Sequence, residues 1–478
     1  MKRIYFDSNV FSNLRRNERP EYIELNKLLN QYQHNLSFFF SDAHIRDKKK
    51  DTTNKKYQDF DFMESFTQDN YLSYDSENKH PNFYLATPRM VFEDAGLTDL
   101  SEVSILDFLE PQEDEDSTIT SIKTILKESL FSTPSNIDLN LDAIENPEQR
   151  FNIEKLFPDI NQMKTLGGMM EQLSHITSKI YTDHKSYKEL RKMIDTGVNQ
   201  GKISLESNKI SFNDALKNTI IQKTFRDFLQ TSITKDKDGH IEFYNYYLNA
   251  YNALDFLGIK KDDITKKNNY LNLFNDGIHS YYARYCDYLV TEDADLNPKS
   301  KALYTLFGEK TIVVNVQEFI EALPVIGADN EKDLYGFTSN LQEDITNTPR
   351  AESKAYGNFI ISPILIDRSY MNTFDGLLEL MVEDEKHYYL VELQGNYLSK
   401  CNFREVGMVV DKLISLFGID RKKVGRFVWE SELSALKEKT WDGRYWVFEN
   451  LIFHLHHNET FHSLCLSIRR ISDRYILP

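Results

Sequence analysis

Cysteine is scarce. Cys286, Cys401 and Cys465 are the only three in 478 residues, and no CxxC pair occurs. That excludes a disulfide framework or a zinc finger and points to a reducing compartment. Long hydrophobic runs are missing too. The stretch 406–419 is broken by Asp411 and Lys412, so no membrane span is expected. Met1-Lys2-Arg3 leads straight into a short strand, without a signal-peptide apolar core, so a cytoplasmic protein is the expectation. Positive charge is in short supply: 57 Lys and Arg stand against 74 Asp and Glu, a net charge of -17. A broad basic face is therefore excluded, and any nucleic acid must be held by a local patch or through metal ions. No fixed-period repeat runs through the chain. Gly167-Gly168-Met169-Met170 lacks the Lys-Ser/Thr of a phosphate-binding loop.

Core-forming residues are plentiful. The chain is 40% hydrophobic and 13% aromatic, with 31 Phe and 27 Tyr, and its length suits two or three domains. Arg3-Ile4-Tyr5-Phe6-Asp7-Ser8-Asn9 reads as a buried strand that delivers Asp7 to its C-terminal end, with a helix starting just beyond. An Asp or Ser after a strand is an ordinary helix cap. Here the layout recurs. A helix over 21–32 precedes a second strand at 36–40, which runs into Ser41-Asp42-Ala43-His44, with Asp47 one turn further on. Residues 48–267 read as a mainly helical insertion, with an acidic loop at 113–116 and a short strand pair at 204–211. The alternation then resumes: a helix over 270–285, a strand at 288–291, a helix at 298–307, a strand at 311–314 and a helix at 316–322. Such alternation predicts an α/β fold with a parallel sheet. Residues 326–353 read as a polar linker, and 354–478 as a C-terminal α+β domain. In that domain strands are expected at 358–366, 373–382, 387–394, 425–429, 445–455 and 461–471, with a long helix at 403–417.

Asp7-x-Asn9, Ser41-Asp42-Ala43-His44 with Asp47, Asp276-x-x-His279, and Cys286-Asp287-Tyr288-Leu289-Val290-Thr291-Glu292-Asp293 together resemble a PIN-domain (PIN-like) nuclease. The resemblance implies a discontinuous domain made of 1–47 and 268–325, in which strand ends gather acids around Mg2+ or Mn2+. By that resemblance Asp7, Asp47, Asp276 and Asp293 are the catalytic acids, Asp47 standing where Glu is usual. Asp7, Asp276, Asp293 and Asp295 are the implied metal ligands. Asn9 and Thr291 flank the acids, and His44 and His279, each within a turn of one, are supporting groups. Converging carboxylates repel one another unless a cation joins them, and Mg2+ takes oxygen ligands.

The implied activity is phosphodiester hydrolysis of nucleic acid, RNA by family resemblance, in keeping with a toxin or antiviral-defence effector. No membrane partner is expected. The acidic balance suggests access restricted by a protein partner or by homo-oligomerisation through the C-terminal domain. A different reading is a catalytically silent PIN-fold scaffold. Another puts the activity in the C-terminal domain, where Asp375, Glu392 and Gln394 resemble the Asp…Glu-x-Lys layout of restriction-endonuclease-like enzymes, with Gln in place of Lys. His454 and His456 would share a strand face as zinc ligands could, but no Cys or acid completes a set.

Overall fold

The computed structural model describes residues 1–49, 51–75, 79–94, 163–198, 212–219, 221–232, 242–265, 270–329, 331–382, 385–391, 403–458 and 463–471, with single positions between 147 and 159. The expected acidic loop at 113–116 and strand pair at 204–211 lie outside these residues. The fold is mixed α/β and divides into two compact units. The first comprises Met1–Phe92, Tyr282–Asp293 and Gly308–Pro478; the second comprises Glu93–Tyr281 and Ala294–Phe307.

The first unit holds two sheets. In the six-stranded one, β1 (Lys2–Phe6), β2 (Leu36–Ser41), β3 (Asn70–Asp75), β5 (Tyr288–Val290) and β6 (Ile312–Val314) run parallel, and β4 (His80–Leu85) returns antiparallel at the edge. The order is β4-β3-β2-β1-β5-β6. Every residue of β2 is buried, as the unbroken Leu-Ser-Phe-Phe-Phe-Ser run requires of a strand covered on both faces. Helices α1 (Ser8–Arg16), α2 (Pro20–Tyr32), α3 (Asp42–Lys49) and α4 (Lys55–Thr67) connect the first three strands. The sheet therefore takes two strands, the edge strand β4 and its neighbour β3, from the span expected to be helical insertion. That boundary is corrected from residue 48 to beyond the β3–β4 hairpin. Along β3, buried Asn70 and Leu72 alternate with half-buried Tyr71 and Ser73, as in a strand more deeply covered on one face.

The second sheet is seven-stranded and antiparallel, in the order β11-β12-β13-β10-β9-β8-β7. Its strands are β7 (Lys354–Tyr356), β8 (Phe359–Ile364), β9 (Gly376–Val382), β10 (Glu385–Val391), β11 (Arg444–Phe448), β12 (Leu451–Asn458) and β13 (Ser463–Arg470). Leu377, Leu390, Leu466 and Phe453 face a core shared with helices Leu334–Asn347 and Phe403–Phe417. The expected linker is thus corrected: 334–347 is a helix whose Phe337 and Leu341 are buried. The expected strand at 425–429 is also absent. Those residues are irregular up to the helix Trp429–Lys437, and Arg444 donates to the carbonyl of Gly425 at 3.1 Å. The two sheets are joined within this one unit. Arg3 on β1 forks onto Glu405 at 2.8 and 2.6 Å, with both side chains buried.

The second unit is helical where described, with helices Leu166–Thr182, His184–Val198, Phe225–Ser232, Phe243–Phe256 and Leu296–Phe307, and most of Tyr270–Ala283. Its interior combines rings such as Tyr247, Tyr281 and Phe307 with a charged centre. Lys299, wholly buried, pairs with Asp262 and stands 3.9 Å from Asp255, which Arg191 also reaches at 2.9 Å.

Candidate active site

β1 ends at Phe6, and Asp7 takes the N-cap of α1, accepting the Val10 N–H at 2.8 Å through Oδ1. Its backbone N–H donates to the Val290 carbonyl at 3.1 Å, so β5 lies alongside up to the strand end. The other carboxylate oxygen accepts the hydroxyl of Thr291, the residue that follows β5. Thr291 Oγ1 accepts the Asp293 backbone N–H at 3.0 Å. One hydroxyl thereby holds the Asp7 carboxylate and the Asp293 backbone at neighbouring parallel strand ends. Asp7 and Thr291 are buried, Asp293 is half-buried, and Asn9 is exposed in the first turn of α1. Glu292 is not a third acid of this set, because it accepts the Val316 N–H at 2.6 Å where the helix Val316–Ile326 begins.

The acid held at the end of β2 is Asp42. Its carboxylate accepts the hydroxyls of Tyr71, of Tyr282 at 3.1 Å and of Ser73 at 3.4 Å. Burial and the Asp42 carboxylate push the Tyr71 phenol far above its ordinary range. Asp47, the acid the resemblance implies, is exposed further along α3. A signal for Asp42 was available, since it follows its strand as directly as Asp7 follows β1. His44 is wholly buried. Its Nδ1 accepts the Ser41 N–H at 3.1 Å, which leaves Nε2 to donate to the Phe6 carbonyl at 2.8 Å. It ties the ends of β1 and β2 together through backbone contacts.

The remaining candidates belong to other elements. Asp276, half-buried, and His279, buried, belong to the second unit on the helix Tyr270–Ala283. Asp295 also belongs to that unit and pairs with Lys260 at 3.4 Å. Asp375 is exposed just before β9, and Glu392 and Gln394 lie outside the described residues. The rings of His454 and His456 stack at 4.5 Å, and burial, with their mutual repulsion, pushes His456 down to about 4. Among the described residues, no three His, Cys, Asp or Glu side chains stand gathered as a metal-holding group. No helix among them is long and apolar enough to cross a membrane. No family model, curated protein or solved structure matches the chain.

Proposed function

We propose that this chain is a metal-dependent nuclease of PIN-like type that hydrolyses phosphodiester bonds, those of RNA by preference. The observation that supports this best is the position of Asp7 and Asp293. Strand order reverses at β1, which has β2 on one side and β5 on the other. In open α/β sheets ligands bind outside the carboxyl ends of the strands at such a reversal. Asp7 and Thr291 follow those two strand ends and are hydrogen-bonded to each other there.

The donor set fits Mg2+ or Mn2+, since its side chains offer only oxygen and hard cations take oxygen. When bound, such a cation polarises the phosphodiester and lowers the pKa of a bound water. Asp7 and Asp293 are the residues of this unit that would hold it. Thr291 fixes the direction of the Asp7 carboxylate, and the α1 cap fixes its position. Asn9, exposed beside them, offers an uncharged hydrogen-bonding group to the substrate. Asp276 and Asp295 enter this reading from the sequence alone, and the preference for RNA comes from the family resemblance.

The test is cleavage of end-labelled RNA and DNA by wild type, Asp7→Asn and Asp276→Asn, with Mn2+ or with EDTA. Metal-dependent cutting by wild type and none by Asp7→Asn is the expected result. Undiminished cutting by Asp7→Asn would leave Asp7 an ordinary helix cap.

A further inference from the structure

A second polar groove opens on the first unit, away from the strand ends that carry Asp7 and Asp42. It holds about 540 Å³ and lies between the first half of β2 and the helices Phe403–Phe417 and Trp429–Lys437. Ser37 lies four residues before Ser41 on β2, roughly 13 Å at the usual rise of a strand. The groove is therefore distinct from the candidate active site.

Its lining has a definite chemical character. Ser37 is buried, lines the groove, and its hydroxyl has no hydrogen-bond partner among the described residues. That hydroxyl is covered, so the hydrogen-bonding groups the groove presents to a ligand are the amides of its rim. Gln33 and Gln68 add two exposed amides, each with donors and an acceptor. Phe66, Phe427 and Trp429 supply half-buried aromatic surface. The one strong cation among the described residues of the lining, Arg404, is already committed: it forks onto Asp69 at 2.7 and 2.7 Å and stacks 3.6 Å over the Trp429 ring. The other charged groups of the lining are Asp411, which is exposed, and His34, which faces Asp329 at 3.5 Å. That balance disfavours a phosphate and favours a neutral, planar, hydrogen-bonding ring. Gln68 itself is held at φ 52° and ψ -118°, a combination that glycine adopts easily and glutamine does not. Strain of that kind persists where the surrounding structure over-determines it.

We propose that this groove binds a nucleobase, stacked on the aromatic wall and hydrogen-bonded by the two glutamines. Amide side chains read base edges, and aromatic rings stack unpaired bases. The base comes either from a free nucleoside or from an unstacked position of an RNA strand. That it belongs to the enzyme's own substrate rests on the nuclease reading; the capacity of the groove for a base does not.

The test uses full-length Asp7→Asn protein, so that binding is read without turnover. Adenosine, guanosine, cytidine, uridine, a short oligoribonucleotide and base-free ribose 5-phosphate are titrated by calorimetry. Saturable binding of at least one base-bearing ligand and none of ribose 5-phosphate is expected. Trp429→Leu and Gln68→Gly, each added to Asp7→Asn, should weaken that binding about tenfold, the scale of one lost stacking or base-edge contact. Gln68→Gly removes the amide while relaxing the backbone, so lost binding there is not lost folding. Binding of free nucleosides assigns the groove to a small molecule, and binding of the oligoribonucleotide alone assigns it to a strand. Absence of saturable binding by every base-bearing ligand, or equal binding by the Trp429→Leu and Gln68→Gly proteins, would overturn the proposal. Base binding that survives alongside a wild type unable to cut RNA would sink the nuclease reading and leave the groove standing.

Discussion

Asp7 has two roles that a pair of substitutions separates. One oxygen caps α1 and the other receives Thr291. Asn keeps an acceptor for the cap but loses the charge; Ala loses both. Asp7→Asn should therefore melt close to wild type and cut nothing. Asp7→Ala should be destabilised by about 1 kcal/mol, the usual cost of a lost N-cap, and be equally inactive. Thermal denaturation alongside the cleavage assay checks both outcomes. Gln68 offers a stability prediction at the same scale. Its left-handed φ of 52° strains a glutamine, so Gln68→Gly should raise stability by about 1 kcal/mol in urea denaturation, despite the entropy glycine adds to the unfolded chain. An unchanged or lower midpoint would mean that the side chain contributes more than its backbone costs.

Between elements, a buried ion pair joins β1 to a C-terminal helix within the first unit. Arg3 leaves β1 and reaches Glu405 in the first turn of the helix Phe403–Phe417. Removing one partner strands a buried charge, so Glu405→Gln should cost about 3–5 kcal/mol. Replacing both, as Arg3→Met with Glu405→Leu, should recover most of that loss, because the desolvation penalty disappears with the charges. A double-mutant cycle in urea reads the difference, and a double variant no better than the single would show that the fork is net stabilising. The helix Leu334–Asn347 carries a related lesson. Its polar composition resembles a linker, yet Leu334, Phe337, Leu341 and Ile345 recur at helical spacing and pack on the C-terminal core. That periodicity, rather than the polar composition, sets the helix.

At the scale of the whole molecule, charge buried in the second unit sets a pH dependence. Burial, opposed by Lys299 and reinforced by Asp255, raises Asp262 from 3.8 to about 7. The folded state then holds a proton that the unfolded state has released between those values. This contribution is present at the acid end and lost as pH rises through about 7. Asp262→Asn removes the titrating group, so its melting temperature should change less than that of wild type between pH 5 and 8. Parallel profiles would exclude the assignment. Metal acts on the molecule in a different way. A cation that binds only the folded state stabilises it by mass action, so Mn2+ should raise the melting temperature of wild type more than that of Asp7→Asn. An equal rise in both would place the metal elsewhere.

Local pattern in the sequence determined several features of this protein. They are the apolar strands β1 and β2, the acid after each, the alternation from 270 to 326, and the helix at 403–417, whose ends match the expected ones. Each rests on neighbours within a few residues, where periodicity, capping and turn chemistry act. Only the tertiary structure decided that Thr291 bridges Asp7 and Asp293. It also decided that His44 bonds the Ser41 and Phe6 backbone and that Asp42 is gripped by hydroxyls from β3 and Tyr282. The same is true of β3 and β4 joining the parallel sheet and of Arg404 being neutralised by Asp69. The physical reason is common to all of them. A side chain's partner is set by sheet register and packing between residues tens to hundreds of positions apart, and a single sequence carries no local trace of such distances.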